Sequence, residues 1–287
     1  MNLDITNRFS FLLLACLMFS SCLDLKFAIA NAPSITFDGT VHKNIAYGHH
    51  EQQKLDIYQP PNIKDAPVII FYHGGRWTVG NKDQYKFAGL TLAKKGYVVV
   101  LPNTRLYPDV KFPSFVEDTA LAMAWTHANI HNYKGQTQNV FVSGHSSGAH
   151  MASIAMTDQR YLKKHNMSSK IISGFAGLSG PYDFIPEADD LKDMFGPPDN
   201  YKNMQISTFI DGNEPPMLFI HGKKDTAVIM RNLHLAKEAI ETKGGIVETH
   251  IYDDADHAAP MAALSWVNPD DLDVVNRIDH FFKKHMK

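Results

Sequence analysis

From Val68 to Tyr72 the chain reads "VIIFY", an unbroken apolar run followed by His73 and two glycines. Runs of this kind suit strands covered on both faces of a parallel sheet, where alternation would leave one face wet. "GYVVVLPN" (Gly96 to Asn103) repeats the pattern, and "NVFVSG", "IISGFAGLSG" and "PMLFIHG" follow it further along. Two earlier stretches, "SITFDGTVHKNIAYG" and "KLDIYQP", alternate instead and predict an antiparallel entry to the sheet. Between the runs lie segments of helical period. In "SFVEDTALAMAWTHANI", Phe115, Ala122, Trp125 and Ile130 recur at near-helical spacing, and "GAHMASIAMT" also reads as a helix. "RNLHLAKEAIETKGG" is a helix with a glycine stop, "VETHIYDDADH" a last strand and loop, and "LDVVNRIDHFFKKH" a closing amphipathic helix through Leu272, Val275, Ile278 and Phe282. Strands alternating with helices predict an α/β fold: a mostly parallel central sheet with helices on both faces. Residues 181–216, rich in Pro, Asp and Asn, interrupt the alternation and predict a small cap insertion above the sheet.

Composition changes little in this picture. The 287 residues are 44% hydrophobic and 20% charged, with a formal net charge of −2, so nothing marks a nucleic-acid partner. With no repeat and no long linker, one domain is expected over 31–287. The first thirty residues are different in kind. Arg8 precedes an apolar run from Phe9 to Phe19, short for a membrane span and suited to the core of an export signal. Ser20-Ser21-Cys22 resembles a bacterial lipobox, which would attach lipid at Cys22; Ala28 to Ala30 offers an ordinary small-x-small cleavage point; an uncleaved leader is the third reading. Residues 1–30 are therefore expected to be a signal peptide or lipoprotein leader. The protein is expected to be exported: secreted, periplasmic, or membrane-attached through the Cys22 lipid or the leader. Both cysteines, Cys16 and Cys22, fall in this segment, so the domain is expected to have neither a disulfide framework nor a cysteine-bound metal.

The chemistry gathers where apolar runs end. Gly144-His145-Ser146-Ser147-Gly148 is a G-x-S-x-G sequence between a strand and a helix. A nucleophile there must project beyond the sheet edge on a sharp turn, and glycines two residues to either side remove the side chains that would collide. The central residue, Ser146, is the candidate nucleophile. A serine hydroxyl needs a base, and the base an orienting acid, in the chain order Ser, acid, His. Asp225 lies just beyond the strand in "LFIHGKKDTAV", and His257 beyond the last strand in "YDDADHAAP". Loops at the carboxyl ends of parallel strands meet at one sheet edge. Asp253, Asp254 and Asp256 compete as acids but are expected to be solvated or capping. His221 and His250 compete as bases but occupy strand positions. The fourth element, "YHGGRW", places glycines after a buried strand, where backbone N–H groups can face a developing oxyanion. Gly74, Gly75 and Ser147 are the expected donors, and Trp77 is a candidate pocket wall.

In order along the chain, "HGGRW", "PNTRLYP", "FPSFVEDTALAMAW", "GHSSG", "LSGPYD", "PPMLFIHGKKDTAV" and "DADH" resemble segments of the α/β-hydrolase superfamily. The resemblance is to its esterase/lipase branch: hormone-sensitive-lipase-like carboxylesterases, kynurenine-formamidase-like enzymes and bacterial exported esterases. It covers most of the chain and implies the α/β-hydrolase fold and a catalytic Ser146–Asp225–His257 triad. Where lipase-branch members often have a third glycine, this sequence has Arg76. The expected activity is hydrolysis of a small-molecule carboxylic ester of short or medium acyl chain through an acyl-enzyme, with no metal or organic cofactor. Arylformamide hydrolysis at the same site and a non-catalytic binding scaffold are the rival readings.

Overall fold

The computed structural model describes residues 25–32 and 36–287. The Phe9–Phe19 run, Cys16 and Cys22 lie outside the described residues.

Eight strands form one sheet in the order β1-β2-β4-β3-β5-β6-β7-β8. They are β1 (Thr40–Ala46), β2 (Lys54–Gln59), β3 (Ala66–Tyr72), β4 (Val98–Pro102), β5 (Gly135–His145), β6 (Gly174–Leu178), β7 (Met217–Gly222) and β8 (Val247–Tyr252). β1 and β2 pair antiparallel, as does β2 with β4; from β4 through β3 to β8 every pairing is parallel. The boundary between alternating and continuous apolar segments thus coincides with the change from antiparallel to parallel pairing. Side chains at i and i+2 share a sheet face, so the two faces of β3 feed two cores. Val68, Ile70 and Tyr72 join Val116, Ala152 and Leu233 from the helices Ser114–Asn129, Ser147–Thr157 and Arg231–Thr242. Ile69 and Phe71 join Leu90, Ile278 and Phe282 from Lys86–Lys94 and Val274–Lys284 on the other face.

The chain between β6 and β7 carries a short helix, Asp189–Phe195, and two 3-10 turns, Pro198–Met204 and Ile206–Thr208. Its polar composition conceals a firm attachment: Met194, Phe195, Met204 and Ile206 are all buried. Phe195 meets Phe115 edge-on at 5.9 Å, and the His150 ring nitrogen Nε2 donates to the Met204 carbonyl at 2.7 Å.

Candidate active site

β5 ends at His145 and the helix Ser147–Thr157 begins two residues later, leaving Ser146 alone to make the turn. It does so with φ 52° and ψ −122°, a conformation that L-residues rarely adopt. The two glycines meet the steric demand of this turn. A Cβ on Gly148 would sit 2.3 Å from the Tyr72 carbonyl oxygen and 2.4 Å from that of His73, so β3 and the helix could not approach as they do. The Ser146 N–H donates to the Leu178 carbonyl at 2.8 Å, tying the turn to β6.

Asp225 and His257 arrive from the ends of β7 and β8. The Ser146 hydroxyl lies 2.9 Å from His257 Nε2, and His257 Nδ1 lies 2.7 Å from Asp225 Oδ2. Asp225 Oδ1 accepts the N–H groups of Ala227 (2.9 Å) and Val228 (2.8 Å), which fixes the carboxylate plane. Burial pushes this carboxyl up, but the His257 and Val228 hydrogen bonds and the nearby His257 and His221 rings pull it net below the ordinary value. An acceptor-only carboxylate at Oδ2 requires the proton of His257 on Nδ1, leaving Nε2 a free lone pair toward Ser146. Ser146 is half-buried and the His257 side chain 26% exposed, so solvent reaches both.

Two further histidines brace this arrangement: His145, whose role nothing in the local sequence announces, and His221, one of the rival bases expected at a strand position. His145 Nε2 donates to the His257 carbonyl at 3.1 Å, joining residues 112 positions apart. Burial first, then the His257 ring, lowers its pKa to about 3, so it is a neutral donor. His221, fully buried, donates from Nε2 to the Val228 carbonyl at 2.8 Å with Asp225 Oδ2 at 3.3 Å. Its strand position thus gives it a packing place against the acid's own loop. The competing acids lie as expected from their crowded loop: Asp253 and Asp254 pair with Lys223 and Lys224, and Asp256 Oδ1 accepts the Ala258 and Ala259 N–H groups.

The glycine loop differs in one respect from the sequence expectation. Gly74 approaches Ser146 closely, with a Cβ built on it falling 3.2 Å from that of Ser146, but its N–H is engaged by the Tyr85 hydroxyl at 3.2 Å. Gly75 has φ 133° and its Cβ would fall 1.9 Å from the Val79 carbonyl oxygen, so only glycine fits. Arg76 and Trp77 continue in left-handed backbone, at φ 54° and 61°. Within the described residues the N–H groups of Gly75, Arg76 and Ser147 make no hydrogen bond. Nothing in the sequence announces that Tyr85, eleven residues on, would take the Gly74 N–H. Trp77 is 4% exposed and packs among Phe115, His150, Phe184 and Phe195, while the Arg76 guanidinium pairs with both carboxylate oxygens of Asp190. Both contacts of this loop with the helix Asp189–Phe195 hold its left-handed residues in place. Among the described residues no group of three or more His, Cys, Asp or Glu side chains could hold a metal ion.

The BD-FAE family model matches residues 55–240, from β2 to the helix after β7. The isoprenylcysteine alpha-carbonyl methylesterase ICME of Arabidopsis thaliana is 25% identical over 250 residues, covering 79% of this chain and 58% of that one. The esterase LipC of Mycobacterium tuberculosis is 28% identical over 210 residues, covering 66% of this chain and 52% of its own. The chain thus spans little more than half the length of these two relatives. Among solved structures, esterase B of Lactobacillus rhamnosis superposes with a TM-score of 0.81 at 18% identity, over 99% of this chain and 96% of that chain. The sheet order, the helices on both faces and this superposition together establish the α/β-hydrolase fold.

Proposed function

The chain belongs to the BD-FAE family within the esterase/lipase α/β-hydrolases, and from that premise we propose that it is a serine carboxylesterase acting on small esters of short or medium acyl chain. The observation that carries the reading is the unbroken relay from Asp225 through His257 to Ser146, with contacts of 2.7 and 2.9 Å. His257 Nε2 takes the hydroxyl proton as Ser146 Oγ attacks the ester carbonyl carbon. Asp225 stabilises the resulting imidazolium and holds its orientation. The carbonyl oxygen becomes an oxyanion facing the N–H groups of Gly75, Arg76 and Ser147. Gly74 is set aside as a donor because Tyr85 occupies its N–H. Each such donor is worth about 3 kcal/mol of transition-state stabilisation. His257 then protonates the leaving alcohol, and water, activated in the same way, releases the acid and regenerates Ser146.

The chemistry also agrees with these relatives, one named a methylesterase and the other an esterase. Short acyl chains are favoured because the excursion between β6 and β7 buries Met194, Phe195, Met204 and Ile206 in the core and leaves only Ile185 among its large apolar side chains more than half exposed, too little to line a lipid-sized groove. Labelling with a fluorophosphonate tests for an activated serine: wild type should label and Ser146→Ala should not, and an unlabelled wild type would refute the reading. A nitrophenyl ester series of graded chain length, run beside N-formylkynurenine, then assigns the acyl group. Preferential turnover of the formamide would replace carboxylesterase by arylformamidase.

A further inference from the structure

The helical residues 25–30 form a docked part of the domain. Phe27 turns inward, 5.6 Å from the Tyr85 ring and 6.5 Å from that of Phe87. Asn31 then pins the chain: its amide donates to the carbonyls of Gln84 (3.0 Å) and Asp83 (3.3 Å), and its Oδ1 accepts the Phe87 N–H at 2.8 Å. Cleavage after Ala30 would remove Phe27 and uncover Tyr85, the residue that holds Gly74.

The outer face of the same turn is apolar and uncovered. Leu25 and Ile29, four residues apart and so on one helical face, are 60% and 46% exposed. Trp266 lies against Ile29, its indole N–H donating to the Ile29 carbonyl at 2.8 Å, while the residue is 62% exposed and its neighbour Val267 44%. A tryptophan whose one polar atom is satisfied by protein and whose ring faces outward suits the headgroup level of a membrane. The apolar Phe9–Phe19 run ends six residues before Leu25. Six extended residues reach at most about 20 Å, so a bilayer receiving that run, or a lipid on Cys22, would lie beside this face.

We infer that residues 25–30 are kept in the working protein and that Leu25, Ile29, Trp266 and Val267 form a membrane-resting face, which seats the domain on a lipid bilayer next to its N-terminal anchor. The inference is independent of the reaction catalysed at Ser146. The test uses the full chain bound to phosphatidylethanolamine/phosphatidylglycerol vesicles whose acyl chains are brominated, with tryptophan emission as the readout. The sequence has three tryptophans, and Trp77 is buried. Bromine should quench an emission component that is missing in Trp266→Phe. The quenching should also be reduced in Leu25→Asp/Ile29→Asp, which keeps Trp266 and the Ile29 carbonyl. Equal quenching in all three proteins while each sediments with the vesicles would place this face away from lipid and overturn the inference. So would a full chain that fails to sediment, or a Trp266 shielded in a lipid-free dimer. Turnover of a soluble ester and the urea midpoint, measured alongside, show that the variants are folded.

Discussion

Replacing Asp225 by asparagine exchanges one oxygen for an NH2 group, and the structure dictates where that group must go. Oδ1 is held by two backbone N–H groups, from Ala227 and Val228, at 2.9 and 2.8 Å. An amide nitrogen placed there would set donor against donor twice, so the NH2 group of the new side chain must take the Oδ2 position, 2.7 Å from His257 Nδ1. Nδ1 can then only accept, which moves the ring proton to Nε2, and Nε2 can no longer receive the Ser146 proton. The loss expected from a base locked in the wrong tautomer is about 10⁴-fold in kcat. That corresponds to about 5 kcal/mol of barrier. The same NH2 also faces the His221 Nε2–H, at the 3.3 Å now spanned by Oδ2, leaving a buried donor unmatched at a cost of about 1–3 kcal/mol in folding stability. Steady-state hydrolysis of a nitrophenyl acetate gives the first quantity and urea unfolding the second. An Asp225→Asn enzyme within tenfold of wild type in kcat, with its fold intact, would refute the assigned tautomer and with it the role of the carboxylate.

The other expectations concern strain, packing and acid. Ser146→Gly should be more stable than Ser146→Ala by about 1 kcal/mol, because glycine alone is at ease at φ 52°, and both should lack esterase activity; urea midpoints and burst kinetics check this. Gly148→Ala should destabilise by about 3 kcal/mol or fail to fold, since its methyl would meet two backbone carbonyl oxygens that no rotamer can move; thermal unfolding measures it. Burial lowers the pKa of His150 to about 4 and that of His145 to about 3, so the unfolded chain binds protons that the fold does not. Stability should therefore fall as pH drops below 6.5, by about 1.4 kcal/mol per pH unit for each ring until its folded value is reached. Urea titrations at a series of pH values show it. His150→Gln, which keeps a donor toward the Met204 carbonyl, should flatten that slope.

Much of this protein was legible without coordinates because its sheet is buried on both sides. A central parallel strand must be apolar at every position, so "VIIFY", "VVVLP" and "NVFVSG" declare themselves. The turn expected of a nucleophile at a sheet edge demands small residues at fixed offsets, so Gly144, Ser146 and Gly148 declare themselves as candidates too. Asp225 and His257 follow from chain order and from the rule that loops at one sheet edge converge. What the sequence could not determine is which polar atoms those loops satisfy once they meet. Tyr85 takes the Gly74 N–H, and His145 holds the carbonyl of a residue 112 positions away. Phe27 shields Tyr85, and Arg76 crosses to Asp190. Local patterns record the burial and backbone conformation that each residue needs for itself. Hydrogen-bond partners across loops depend on ångström-scale distances between distant segments, and those are fixed only when the whole core packs.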